Sequence, residues 1–232
     1  MIRAGVLVFP GSNCDRDMEA AASAVMGWEA VRCWHAEPLP RGLDVVLVPG
    51  GFSYGDYLRC GALAALSPAM ESARDFARGG GLVLGVCNGF QILCEAGMLP
   101  GTLLRNRQCR FVCREVRLRV EREDTAFTSA CGHFLTLPIA HGQGSYHADP
   151  RTLQQMSERR QILFRYVDAE GDASPRGNPN GSLANIAGVV NAEGNVAGMM
   201  PHPERAVEPL HGGTDGLGIF RSLAAALEAA RA

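Results

Sequence analysis

The chain contains no lysine; all 22 of its basic residues are arginine. That absence excludes two chemistries. There is no P-loop lysine to hold a nucleotide's phosphates, and no side-chain amine for a Schiff base. A reaction driven by ATP would need the nucleotide on another subunit. Long hydrophobic runs are missing too, so no segment is suited to cross a bilayer. No charged leader with a separate apolar stretch precedes the first strand-like segment, Ala4–Phe9. The expectation is a cytoplasmic protein without a membrane partner. Charge of one sign is also absent. Twenty-two basic and 24 acidic residues leave a net −2, and no basic run interleaved with aromatics points to nucleic acid.

The residues present suit a globular protein. A chain of 232 residues, 47% of them hydrophobic, can bury one substantial core. No repeat, linker or disordered tail divides it, so residues 1–232 read as a single domain. Eight cysteines without secretory context read as free thiols. Cys109, Cys113, Cys131 and His133 have spacing compatible with a zinc set. Cys109 and Cys113 also lie on a strand-like run, where residues four apart share a face. Packing accounts for them, and no metal is expected.

Short apolar runs alternate with amphipathic ones. Ala4–Phe9, Ala30–Trp34, Asp44–Pro49 and Leu82–Val86 read as strands. Asp15–Met26 reads as a helix, as does the segment to Arg78 that opens with Ser67 as cap and Pro68 in its first turn. The rhythm predicts a doubly wound, mostly parallel α/β sheet with flanking helices. The second half adds strands at Phe111–Val120, Phe134–Ala140 and Ile162–Val167, and a hairpin from Ile186–Asn191 to Val196–Met200. A helix over Asp149–Arg159 and another from about Asp215 complete the expected elements.

Two stretches carry chemistry. Gly85-Val86-Cys87-Asn88-Gly89 comes after an apolar strand and precedes a helix-like segment, Phe90–Ala96. That is the setting of a nucleophile elbow, with cysteine as the nucleophile. A buried cysteine in a plain strand-to-helix turn is the other reading. Far downstream lies Met200-Pro201-His202-Pro203-Glu204. Residues before proline favour extended backbone, where positions two apart share a face. His202 and Glu204 are therefore expected side by side, the carboxylate setting the imidazole tautomer. Singly, each stretch also reads as an ordinary turn or solvated loop. Together they supply nucleophile, base and orienting acid.

With those residues in view, the chain resembles the class I glutamine amidotransferases. It is most similar to their branch of glutaminase subunits serving phosphoribosylformylglycinamidine synthesis in purine biosynthesis. The blocks that carry this are Pro10–Asp15, Pro49–Asp56, Gly85–Gln91, Ile139–Gly144, Asn178–Ser182 and Met199–Arg205, spread over nearly the whole chain. The resemblance implies a flavodoxin-like class I glutaminase fold. It implies hydrolysis of glutamine to glutamate and ammonia through a Cys87 thioester, with His202 as base and Glu204 as its orienter. Asn88 N–H is the natural oxyanion donor after the nucleophile. The resemblance supplies Gly51 N–H as the second; a plain turn is the alternative for Gly50-Gly51. Two adjacent glycines let that peptide sit either way round, so glutaminase activity is expected to depend on a partner. Gln91 lies one helical turn after Cys87 and would hold the amino-acid end of glutamine, or stand as a solvated amide. Expected partners are a large synthetase subunit, carrying ATP and Mg, and a small bridging subunit. This chain itself needs no cofactor. Tyr54–Arg59 and Asp168–Ser182 are candidate docking segments. Where the family usually has glutamate, position 143 is glutamine. His35, His133, His141, His147 and His211 read as surface or packing residues. Rival readings are the glutaminase of another synthetase, a stand-alone cysteine peptidase or γ-glutamyl hydrolase, and a non-catalytic regulatory scaffold.

Overall fold

The alternating pattern resolves, in a computed structural model that describes residues 1–231, into strands and helices that meet at one sheet edge. In chain order these are β1 (Arg3–Val8), α1 (Asp15–Ala20), β2 (Glu29–Trp34), β3 (Val45–Val48), α2 (Pro68–Arg78), β4 (Leu82–Val86) and α3 (Asn88–Glu95). Next come β5 (Thr102–Leu104), β6 (Val112–Val120), β7 (Phe134–His141), β8 (Ser145–His147) and α4 (Pro150–Glu158). The chain ends with β9 (Ile162–Val167), β10 (Ile186–Val190), β11 (Val196–Met199) and α5 (Leu217–Ala229).

Nine strands form one sheet in the order β2-β1-β3-β4-β11-β10-β9-β6-β7. The first five run parallel. The strands expected from the second half extend that sheet in antiparallel fashion. β3 is buried at all four positions and β4 at four of five, as strands covered on both faces should be. Ser67 Oγ accepts from Met70 N–H at 3.3 Å, so the predicted cap of α2 forms. The helix expected over Asp15–Met26 is α1 continued by a π turn, Ala21–Val25. The short pair β5–β8 carries no pattern a sequence reading could catch; three residues are too few to show a period.

The connection that matters is the hairpin β10–β11. Reversal at Asn191–Asn195 lays β11 parallel against β4, with Met199 opposite Val86. On the other side of β4, Val48 of β3 pairs with Gly85. Three strands therefore end side by side. Their outgoing segments, Pro49–Gly51, Cys87 and Met200–Glu204, share the carboxyl edge where ligands gather in open α/β sheets.

Candidate active site

Cys87 is the first residue past β4. It adopts φ 52°, ψ −108°, a conformation that costs a non-glycine residue energy and that persists only when neighbours enforce it. Its N–H donates to Met199 O at 2.8 Å, and its carbonyl accepts from Gln91 N–H at 3.2 Å. Neither flanking glycine is left-handed. Their role is to give room. A methyl at Gly89 would fall 1.8 Å from Val48 O, and one at Gly85 would fall 2.5 Å from Leu93 Cδ1 and 2.7 Å from Gly89 O. The first turn of α3 thus presses on the end of β3, and Cys87 takes the strain.

His202 is held by its N–H, which donates to Pro138 O at 2.8 Å. Its Nδ1 lies 2.6 Å from Glu204 Oε1, and both side chains are sealed from solvent. The pairing agrees with the sequence, but its route differs. His202 is extended (φ −100°, ψ 91°), whereas Pro203–Arg205 closes a 3-10 turn. The turn, and not a shared strand face, carries the carboxylate back to the ring. Burial opposes charge on His202; the Glu204 carboxylate, Cys87 and Cys14 outweigh it and hold its pKa well above the usual histidine value.

Gly50 marks where these groups converge. A methyl there would lie 2.8 Å from His202 Cε1, 3.0 Å from Cys14 Sγ and 3.3 Å from Cys87 Cβ. No sequence pattern puts Cys14, from the Pro10–Asp15 block, beside the histidine. Its Sγ sits 3.1 Å from Arg205 Nη2. Among the described residues, Cys14, His202 and Glu204 alone bring metal-ligating atoms within 4.8 Å of one another. The Arg205 cation against Cys14 and the Glu204–His202 bond already engage that set. Cys109, Cys113 and His133 are exposed; His133 pairs with Glu123, while Cys131 packs against Gly218.

Gly51 adopts φ 150° and allows no side chain, since a methyl would meet Asn13 N, Gly11 O and Ser12 Cα at 2.9 Å. The Gly50–Gly51 turn is braced, not loose. Cys14 N–H donates to Gly50 O at 3.2 Å, and Phe52 N–H donates to Gly11 O at 2.9 Å. Reorienting that peptide would break the first of these bonds. Among the described residues, neither Gly51 N–H nor Asn88 N–H meets a protein acceptor. Asn88 also uses its side chain: Oδ1 accepts from Ser53 N–H at 3.0 Å and Nδ2 donates to Gln91 Oε1 at 2.8 Å. It ties the glycine turn to the elbow. Gln91 Nε2 in turn donates to Gln143 O at 2.5 Å. Both ends of the Gln91 amide are thus engaged within the protein and buried, which removes the alternative of a solvated amide. The position fits a brace; contact with substrate requires one of these bonds to open.

An intact elbow, a sealed His–Glu pair and two N–H groups without acceptors suit acyl transfer from a carboxamide or ester. The family whose profile matches residues 1–213 is described as the CobB/CobQ-like glutamine amidotransferase domain. The chain belongs to this family of glutamine amidotransferases. Among its relatives is the phosphoribosylformylglycinamidine synthase subunit PurQ of Bradyrhizobium diazoefficiens, 56% identical over 232 residues, 99% of this chain and 100% of that protein. The protein of the same description from Rhodopseudomonas palustris is 55% identical over 226 residues, 96% of this chain and 97% of that one. A solved structure of PurLQS from Thermotoga maritima contains a chain 43% identical, with a TM-score of 0.85, covering 97% of this amidotransferase and 99% of that chain. A further glutamine amidotransferase structure from Thermotoga maritima, 14% identical with a TM-score of 0.54, covers 89% of this chain and 77% of its own and shares the fold alone.

Proposed function

We propose that this amidotransferase is the glutaminase subunit of a phosphoribosylformylglycinamidine synthase. It acts as one domain in the cytoplasm and feeds ammonia to a large synthetase subunit, with a small bridging subunit in the assembly. ATP and Mg belong to the synthetase, in keeping with a chain that has no lysine for phosphates. The observation that carries the reading is the meeting of strained Cys87 with the sealed His202–Glu204 pair around Gly50.

The chemical steps use that geometry directly. Cys87 sulfur attacks the side-chain carbonyl carbon of glutamine, and the carbonyl oxygen becomes an oxyanion. Gly51 N–H and Asn88 N–H, neither of which meets a protein acceptor among the described residues, are suited to receive it. His202 accepts the thiol proton and returns it to the nitrogen, so the C–N bond breaks and neutral ammonia leaves. Water then attacks the γ-glutamyl thioester, with His202 as base, releasing glutamate. Glu204 keeps Nδ1 engaged throughout, leaving Nε2 for proton transfer.

Cys87→Ala in the reconstituted complex is the test. Glutamine-driven synthesis should vanish while synthesis from added ammonia persists. Wild-type glutamine turnover in that variant would refute the assignment.

A further inference from the structure

His141 closes β7 at the edge of the same site and is almost wholly buried, 3% exposed. Its tautomer can be read from its neighbours. Asn106 Nδ2 donates to Arg110 O at 2.8 Å and to His141 O at 2.9 Å. Asn106 Oδ1 accepts from Gly144 N–H at 2.9 Å. The amide orientation is thereby settled, and Oδ1 faces His141 Nδ1 at 3.1 Å. An acceptor facing Nδ1 requires that nitrogen to carry the proton. Nε2 is then a bare lone pair, and among the described residues no protein donor reaches it. Buried acceptors without partners are uncommon and call for a reason.

The surroundings hold the ring in place. Gly144 leaves it room: a methyl there would fall 2.2 Å from His141 Cε1. The preceding carbonyl, Ala140 O, lies 3.8 Å from Cys87 Sγ. Burial, then the nearby charge of His202, push the His141 pKa down to about 4, so the ring is neutral wherever the triad works.

We propose that His141 Nε2 is the acceptor for the reacting nitrogen: first for an N–H of the glutamine carboxamide, then for the ammonia it becomes. This rests on the glutaminase reading above. His202 delivers the proton that breaks the C–N bond, and ammonia leaves with three N–H groups, one of which stays on Nε2. A neutral imidazole can hold ammonia without protonating it. An imidazolium would turn it to ammonium and end its use as a nucleophile. The same lone pair favours a carboxamide over glutamate, whose side chain has no N–H to give.

The test uses the Cys87→Ala chain with 15N-labelled histidine, titrated with glutamine and with glutamate. Glutamine should move the His202 signals and shift His141 Nε2 toward the hydrogen-bonded range, and glutamate should leave His141 Nε2 in place. Movement of His202 with no change at His141 Nε2 overturns the proposal and spares the glutaminase reading. Saturating glutamine that moves neither residue overturns both. In the assembled complex, His141→Leu should lower glutamine-driven kcat at least tenfold with synthesis from added ammonia retained, and His141→Gln, which restores an acceptor oxygen, should recover much of it. Wild-type glutamine turnover in His141→Leu would also overturn the proposal.

Discussion

His202 Nδ1 and Glu204 Oε1 stand 2.6 Å apart with no solvent access to either side chain. A carboxylate so placed does two things: it fixes the ring's orientation and it favours the protonated ring. Glu204→Gln keeps an oxygen for Nδ1 but removes the charge. Glutaminase kcat should fall by roughly 10³–10⁴, less than for His202→Ala. The His202 pKa should also drop, because the charge that raises it is gone. NMR titration of the ring checks this, and an unchanged pKa would contradict the pairing.

Gly50 should tolerate no side chain, since any methyl enters the space between His202, Cys14 and Cys87. Gly50→Ala should cut kcat by about 10², the cost typical of a displacement near 1 Å. Gly213→Ala meets nothing within 4 Å and serves as the control. Steady-state kinetics on both variants, with thermal melts to show retained folding, decide the matter.

Acid stability should report on His141. Its folded pKa is lowered to about 4 from an ordinary 6.5, so the unfolded chain binds the proton more readily. Its contribution is present above pH 6.5 and is lost as pH falls toward 4, by up to about 3 kcal/mol. Denaturant melts between these pH values should fall more steeply for the wild type than for His141→Gln. Parallel slopes would show that the ring is not held neutral by the fold.

The segment Tyr54–Arg59 is suited to docking. Tyr54, Asp56 and Leu58 all have positive φ, and Tyr57 and Leu58 are 75% and 85% exposed. Strained backbone carrying exposed apolar side chains tends to mark function. A contact between Tyr54 OH and His35 Nδ1 at 2.6 Å anchors its base. Leu58→Asp should weaken association with the synthetase subunit at least tenfold and leave glutamine hydrolysis by the free chain unchanged. Calorimetric titration against the synthetase measures the first, and a glutamate-release assay the second.

Much of the fold and site is legible in the sequence because it depends on local order. Leu82–Val86 reads as a strand from its unbroken apolar run, α2 from Ser67-Pro68, and the hairpin from Asn191–Asn195. Cys87, His202 and Glu204 are readable as candidate chemistry because a proposed nucleophile, base and acid are residue types in recognisable settings. Contacts between segments distant in the chain are not. Gln91 reads alone as a substrate contact or a solvated amide, yet Gln143, 52 residues on, makes it a brace. Cys14 reads only as one of eight free thiols until β3 and β4 bring Gly50 between it and Cys87.

The sequence by itself determined the order of the longer strands and helices and the residue types available for acyl transfer, since periodicity and turn chemistry act over a few neighbours. Only the tertiary structure decided which of those residues meet. β11 must return parallel to β4 before His202 can face Cys87, and a 3-10 turn, not an extended chain, must bring Glu204 to the ring. The unpaired Nε2 of His141 is visible only once Asn106, 35 residues away, fixes the other nitrogen. Burial and hydrogen-bond partnership are properties of the packed whole, and no local pattern encodes them.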